Sequence, residues 1–170
     1  MPSLSELKGF APFRDFQRSH LAQLAATARD VHYRPGDRLF KEGTPAWGCW
    51  LITSGQVILD AEGAVLETLG AGDLVGWSWL VPPHRWHFGA TAVTDVSAIV
   101  LDTDRLKNFA EGDPGLGYAV TRTLFSVLLQ RLQATRFRLL EMRSEKPIQP
   151  IRRPTMQDYF PKSDQKGAVR

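Results

Sequence analysis

The chain has 170 residues, of which 43% are hydrophobic and 23% are charged. This composition predicts one globular domain and excludes a low-complexity chain, because 14 glycines and 11 prolines are too few for one. No apolar run approaches the roughly 18 residues of a membrane span. The N-terminus does not combine a basic start with an apolar stretch, so we expect a cytoplasmic protein that does not bind membranes.

The net charge of +3 is unevenly distributed along the chain. From Arg136 onward nine Lys/Arg stand against four Asp/Glu, a net charge of +5, so residues 1–135 carry a net charge of −2. Nucleic-acid-binding domains usually concentrate basic residues on a folded face, so we expect no nucleic-acid partner. A single cysteine, Cys49, excludes a disulfide framework and a cysteine-ligated cluster within one chain.

Short helices followed by many short strands are predicted for the first two thirds of the chain. Ser3–Lys8 and the segment after Ser19, which suits an N-cap, favour helices. Short apolar or alternating runs separated by Gly, Pro and Asp then predict strands at Val31–Tyr33, Arg38–Phe40, Cys49–Thr53, Gln56–Leu59, Val65–Leu69, Leu74–Val75, Phe88–Val93 and Ser97–Leu101. Such a series is typical of a mainly β sandwich or barrel, here with flanking helices.

A short helix and a long helix are predicted next. Thr103 or Asp104 can cap the first, and Asp113-Pro114 suits the start of the second, which we expect over 113–143. A helix of about 30 residues spans about 45 Å, more than the width of a small barrel. Its apolar row predicts a homodimer interface at Leu124, Leu128, Leu132, Thr135, Leu139 and Met142. The alternative is that the helix packs wholly on its own barrel.

Residues 144–170 are predicted to be a separate, extended, proline-rich basic tail behind a domain of residues 1–143. The tail cannot build a core, and we expect it to be disordered by itself. Tyr159 and Phe160 form a hydrophobic group within it, which predicts a docking motif for a protein partner.

Four sequence segments carry a resemblance to a known family. They are Tyr33–Gly43, Trp50–Val57, Gly70–Gly76 and the run Arg131-Leu132-Gln133-Ala134-Thr135. In this order they resemble the cyclic-nucleotide-binding domain of the CRP/FNR regulators. The resemblance implies a double-stranded β-helix of the jelly-roll or cupin type with a nucleotide pocket at the barrel mouth, and it places Thr135 where the family's threonine touches the adenine.

The sequence departs from the family at the phosphate-binding loop. The glycine that matches Gly76 is followed in the family by a glutamate that binds the ribose hydroxyl, and here that position is Trp77. The family's phosphate-binding arginine has no certain equivalent, although Arg85 could supply it from a shifted position. We therefore expect little or no cyclic AMP binding, with a degenerate pocket formed from Gly76, Trp77, Ser78, Arg85, Trp86, His87 and Thr135.

Residues 77–88, here called the aromatic loop, hold three tryptophans, two histidines and one arginine. The rings of Trp77, Trp79 and Trp86 could fill the barrel mouth where a nucleotide would sit. Alternatively, the loop could form a remodelled pocket, with aromatic rings stacking a base, or a protein-docking surface, since Trp and Arg are enriched at interface hot spots. His84 and His87 are not expected to bind a metal, because no neighbouring Cys, Asp or Glu completes a site.

No catalytic motif appears, so we expect a protein that is not an enzyme by itself. Only 27 residues follow Arg143, too few for a helix-turn-helix module, which predicts action through another polypeptide. The aromatic loop resembles that of the small accessory subunit of soluble NAD-reducing [NiFe] hydrogenases. This implies a dimeric subunit of a redox complex and favours NADPH or NADH over cyclic AMP as the ligand. The alternative is a free-standing nucleotide-sensing module that regulates a separate partner.

Overall fold

The computed structural model describes residues 2–143, and its centre is a β-structure of eight strands. The strands are β1 (Ala28–Tyr33), β2 (Arg38–Phe40), β3 (Gly48–Ser54), β4 (Val57–Ala61), β5 (Ala64–Leu69), β6 (Leu74–Val75), β7 (Gly89–Ala92) and β8 (Val96–Asp102). Each of the eight predicted strands overlaps one of them. The pattern of short apolar runs between turn residues was therefore sufficient to predict where the strands lie.

The strands form two antiparallel sheets that face each other. The first sheet has the order β1-β8-β3-β6 and the second the order β2-β7-β4-β5. Strands that are distant in sequence pair in both sheets, as in the register Trp50↔Val100 between β3 and β8. This arrangement confirms the predicted jelly-roll sandwich.

Four α-helices flank the sheets, and polar side chains cap the starts of the first, third and fourth. The helices are α1 (Leu4–Gly9), α2 (Arg18–Thr27), α3 (Thr103–Gly112) and α4 (Pro114–Arg143). Ser3 and Glu6 cap α1 reciprocally, because each side chain accepts a hydrogen bond from the other's backbone N–H. The helix α2 begins one residue before the predicted cap Ser19, and Asp102 rather than Thr103 or Asp104 caps α3.

The start of α4 is held by Asp113. Its carboxylate accepts hydrogen bonds from the backbone N–H groups of Gly115 at 3.0 Å and Leu116 at 3.2 Å. Pro114 occupies the first helical position, where a missing N–H costs least. From α2, Gln23 donates to the same carboxylate at 3.4 Å and His20 Nε2 lies 3.5 Å from it. These contacts fix the first turn of α4 on α2.

The helices cover the outer face of the first sheet. Side chains from α2, α3, α4 and the sheet meet around a small apolar cavity of about 10 Å³, lined among others by Leu24, Cys49, Leu101, Leu106 and Leu124. Leu124 is only 3% exposed. The prediction that Leu124 lies in a homodimer interface is therefore wrong, because this side chain belongs to the core of its own domain.

The chain divides after Arg131 into two compact units. The first contains the sheets, α1 to α3 and the beginning of α4. Of the second unit the structure describes the helical residues up to Arg143, and here Leu132, Leu139 and Met142 have exposed side chains. The tail 144–170, including Tyr159 and Phe160, lies outside the described residues. Within residues 2–143, no helix has both the length and the apolar character that a membrane span requires.

Candidate functional site

The aromatic loop connects β6 to β7 and begins after a glycine that no other residue could replace without strain. Gly76 has a φ of +86°, in the left-handed region. A Cβ atom at this position would lie 2.9 Å from Cζ3 of Trp86 and 3.2 Å from the carbonyl oxygen of Gly48. Gly76 therefore allows the two ends of the loop to approach each other closely.

Trp86 is buried inside the sandwich. Its ring stacks on Phe40, with centroids 4.1 Å apart and planes at 21°, and lies 5.7 Å from the ring of Trp50. Only 2% of its surface is exposed. Its indole Nε1 has no hydrogen-bond partner among the described residues, although burying such a donor costs about 1–3 kcal/mol. Packing of the ring must therefore offset that cost.

The second half of the aromatic loop is held against the segment that connects β2 and β3. The backbone of Trp86 donates to Thr44 at 3.0 Å and accepts from Gly43 at 2.8 Å, and His84 accepts from Ala46 at 2.9 Å. Arg85 donates from Nη1 to the carbonyl of Gly43 at 2.7 Å. The guanidinium that was the candidate phosphate anchor is thus used to tie the loop to its neighbour.

The two histidines of the loop also make contacts within it. His84 has a φ of +56° and donates from Nδ1 to the carbonyl of Trp79 at 2.7 Å. Nδ1 of His87 lies 3.0 Å from Oγ of the buried Ser78. Across residues 2–143, no cluster of three or more His, Cys, Asp or Glu side chains could hold a metal ion.

Trp79, in the first half of the aromatic loop, packs against the helices. It is buried, and the ammonium group of Lys107 on α3 lies 5.8 Å from the centroid of its ring. The ring borders the same small cavity as Leu124. Trp79 therefore joins the loop to the helical layer, while Trp86 joins it to the interior of the sandwich.

Trp77 contacts Arg131 of α4, which is not among the pocket residues predicted from the sequence. The guanidinium carbon of Arg131 lies 4.4 Å from the centroid of the Trp77 ring. Nη2 of Arg131 donates to the carbonyl of Leu74 at 2.7 Å, and Nη1 lies 3.9 Å from Oε2 of Glu67. The side chain of Arg131 is 15% exposed. A basic residue inside an otherwise apolar helical row was a signal that Arg131 has a buried partner, although it does not identify that partner as Trp77.

Burial has opposite consequences for two ionisable groups near this contact. Desolvation lowers the pKa of Arg131, and the carboxylates of Glu67 and Asp73 oppose that shift. Desolvation raises the pKa of the Cys49 thiol to about 12, so Cys49 is a neutral core residue.

The predicted pocket residues of the first unit therefore do not converge on one open site. Trp86 approaches Gly76, Ser78 contacts His87, and Arg85 binds the neighbouring connection. Trp77 contacts α4 through Arg131, while Thr135 belongs to the second unit of the chain. Of the three interpretations of the aromatic loop, the structure favours the first for Trp86 alone, because Trp86 lies inside the sandwich whereas Trp79 packs against the helices and Trp77 against Arg131.

Comparison with known proteins agrees with the fold. Residues 30–113 match the family model described as the cyclic nucleotide-binding domain. A relative from Mycobacterium tuberculosis, described as a CRP-like cAMP-activated global transcriptional regulator, is 27% identical over 135 residues. The match covers 76% of this chain and 58% of that protein, so the chain spans little more than half the length of the relative.

Two solved structures are also similar. One is a cyclic nucleotide-binding protein of Geobacter metallireducens, with a TM-score of 0.74 and 23% identity over 78% of this chain and 99% of that chain. The other is the N-terminal domain of a transcriptional regulator from Streptomyces coelicolor, with a TM-score of 0.59 and 26% identity over 76% of this chain and 94% of that chain. Together with the eight-stranded sandwich, these findings show that the chain has the cyclic nucleotide-binding fold and that residues 30–113 are similar to the cyclic nucleotide-binding domain of CRP-like regulators.

Proposed function

We propose that this protein is a non-catalytic regulatory module whose cyclic nucleotide-binding fold does not use cyclic AMP and acts through a protein partner. The observation that carries this proposal is the burial of Trp86 between Phe40, Trp50 and Gly76. The ring fills space inside the sandwich near the loop that binds the nucleotide in the family.

Two further features argue against cyclic AMP. Trp77 stands where the family has a glutamate for the ribose, and Arg85 is bound to the carbonyl of Gly43. A hydrogen bond to a charged group contributes about 1.5–3 kcal/mol, and about 1.4 kcal/mol corresponds to a tenfold change in affinity. Loss of both contacts should weaken a micromolar site toward the millimolar range.

Calorimetric titration with cyclic AMP tests this part of the proposal. We expect a dissociation constant near 1 mM or no measurable heat, with the Trp77→Glu variant as a comparison that restores the family's carboxylate. The Mycobacterium tuberculosis relative is described as cAMP-activated, so a low-micromolar dissociation constant for the unmodified protein would show that this chain kept the same ligand.

A remodelled pocket for a nicotinamide nucleotide is the second candidate. His84 and His87 are exposed at the loop and could contact phosphate, and the half-buried ring of Trp77 could stack a base. NADPH and NADH are the probes we favour. Binding should change the fluorescence of the tryptophans and should be weakened by His87→Gln, and equal titrations of the unmodified protein and of this variant would argue against contact at the loop.

We also propose a homodimer formed through α4, with a corrected set of interface residues. Exposed side chains recur every seven residues along the helix, in the two series Tyr118, Phe125, Leu132, Leu139 and Thr121, Leu128, Thr135, Met142. Tyr118 and Phe125 are 70% and 66% exposed. A seven-residue repeat of this kind is typical of a coiled-coil seam. Tyr118, Thr121 and Phe125 replace Leu124 in the predicted interface.

The partner we propose is a redox enzyme complex, most specifically an NAD-linked [NiFe] hydrogenase, because the aromatic loop resembles that of hydrogenase accessory subunits. Tyr159 and Phe160 of the tail are the proposed anchors. Co-purification of the full-length protein and of a variant ending at Lys146 tests this. A hydrogenase or diaphorase subunit that is retained only by the full-length protein supports the proposal. A protein that purifies without a partner in both forms supports the free-standing sensing module.

A further inference from the structure

The contact between Trp77 and Arg131 joins two parts of the molecule that the chain separates by more than 50 residues. Trp77 is the first residue of the aromatic loop, and Arg131 is the last residue of α4 within the first compact unit. The contact has three components, namely the ring of Trp77 at 4.4 Å, the carbonyl of Leu74 at 2.7 Å and the carboxylate of Glu67 at 3.9 Å. Arg131 therefore meets β5, β6 and the loop at once.

The importance of this contact follows from the position of Trp77. In the family that the sequence resembles, the residue at this position is a glutamate that binds the ribose of the ligand. Here Trp77 contacts the side chain of Arg131 from α4 instead. A guanidinium over an indole face is attracted to the ring without any ligand, and more strongly when the pair is shielded from water. The side chain of Arg131 is largely shielded, as is that of Glu67, which is 26% exposed.

We propose that Trp77 and Arg131 form a latch that holds α4 against the aromatic loop in the absence of any ligand. The latch rests on the proposed function, because a domain that does not use cyclic AMP needs another means to fix its helix. When the latch is closed, α4 contacts the aromatic loop through Arg131, and this is the state of the domain without a ligand. Regulation then acts by opening the latch, for example when a partner protein binds the indole face of Trp77.

Hydrogen exchange of the full-length protein tests the latch without any ligand. Replacing Trp77 with leucine removes the ring face but leaves an apolar side chain. An exposed to partly shielded cation–π pair is worth about 0.5–2 kcal/mol, which corresponds to about a 2- to 30-fold change in a local opening equilibrium. We expect Trp77→Leu to accelerate exchange by that factor in the α4 amides around Arg131. Exchange in α3 should not change.

Three further variants make the result specific. Trp77→Tyr keeps an aromatic face and should retain most of the protection. Arg131→Met keeps an apolar stem but loses the ring contact and the hydrogen bond to Leu74, so it should accelerate exchange at least as much as Trp77→Leu. The matched control is Trp47→Leu, because Trp47 also stacks with an arginine, Arg29 at 5.8 Å, but lies outside the loop. It should leave exchange in α4 unchanged.

The outcomes separate the latch from the proposed function. Unchanged exchange around Arg131 in Trp77→Leu would overturn the latch, whatever the result for Arg131→Met and even if calorimetry finds no cyclic AMP binding. Equal acceleration along the whole chain in Trp77→Leu would also overturn it, because that result indicates general destabilisation. Tight binding of cyclic AMP with the expected local acceleration would overturn the proposed function and leave the latch in place.

Discussion

The indole Nε1 of Trp50 on β3 donates a hydrogen bond to the hydroxyl of Tyr33 on β1 at 2.9 Å, and the two strands lie on either side of β8 in the first sheet. Trp50 is fully buried, so no water can replace this acceptor. The ring of Trp50 also packs edge-on against the exposed Trp47 at 5.1 Å. The hydroxyl of Tyr33 therefore fixes the orientation of the fully buried Trp50 ring.

Replacing Tyr33 with phenylalanine should destabilise the protein by about 1–3 kcal/mol, because it leaves a buried donor without a partner. Urea unfolding at fixed protein concentration measures the change. Thr68→Val is the matched control, since it removes a hydroxyl from an exposed side chain on β5. A similar loss of stability in both variants would mean that the Trp50 hydrogen bond contributes little.

The sequence was sufficient to predict the strands because they depend on local patterns. Each predicted strand is a short apolar run next to a turn residue, and these two signals lie within a few positions of each other. The contact between Trp77 and Arg131 depends instead on how distant segments pack. Neither residue has a local pattern that identifies its partner, so only the structure could reveal it.

The incorrect assignment of Leu124 has a geometric cause. Residues in a helix advance by about 100° each, so a spacing of four residues rotates by about 40° beyond a full turn. The series Leu124, Leu128, Leu132 therefore drifts from one face of α4 to another. The buried side chains at the start of the helix are Leu116, Val120 and Leu124, whereas Leu128 is already 39% exposed.

Replacing Gly76 with alanine should destabilise the protein by about 2–5 kcal/mol. A left-handed conformation costs a residue with a Cβ atom about 1–2 kcal/mol, and overpacking against Trp86 adds about 1–3 kcal/mol. The matched control is Gly72→Ala, because Gly72 has a φ of +92° but its added Cβ atom would have no neighbour within 4 Å. The difference between the two unfolding free energies measures the contact with Trp86. Equal values would show that Trp86 moves aside without cost.

The homodimer should be lost when Leu128 and Leu132 are both replaced with aspartate, because four charges would then enter one apolar seam. Light scattering of the full-length protein should change from the mass of two chains to the mass of one. Gln133→Asp, which lies outside both seven-residue series, should leave the dimer intact. A monomeric mass for the unmodified protein would contradict the proposed interface directly.

The carboxylate of Asp113 at the start of α4 should make stability depend on pH in the acid range. Its pKa is lowered from the ordinary value of 3.8, chiefly by the backbone N–H of Leu116, with further contributions from Gln23, His20 and Gly115. A lowered pKa in the folded state means that the folded protein favours the ionised form. The stabilisation is therefore present above about pH 4 and is lost as the pH falls through the folded-state value.

The variant Asp113→Asn isolates this contribution, because asparagine still accepts hydrogen bonds from the helix start but has no carboxyl to titrate. Urea unfolding from about pH 6 down to about pH 3 should show a steeper loss of stability for the unmodified protein than for the variant. Asp104→Asn on α3 removes a carboxylate whose side chain is 79% exposed and serves as the control. Parallel pH profiles for the unmodified protein and Asp113→Asn would show that hydrogen bonding at this cap is independent of ionisation, and the pairing with His20 would then have no part in holding α4.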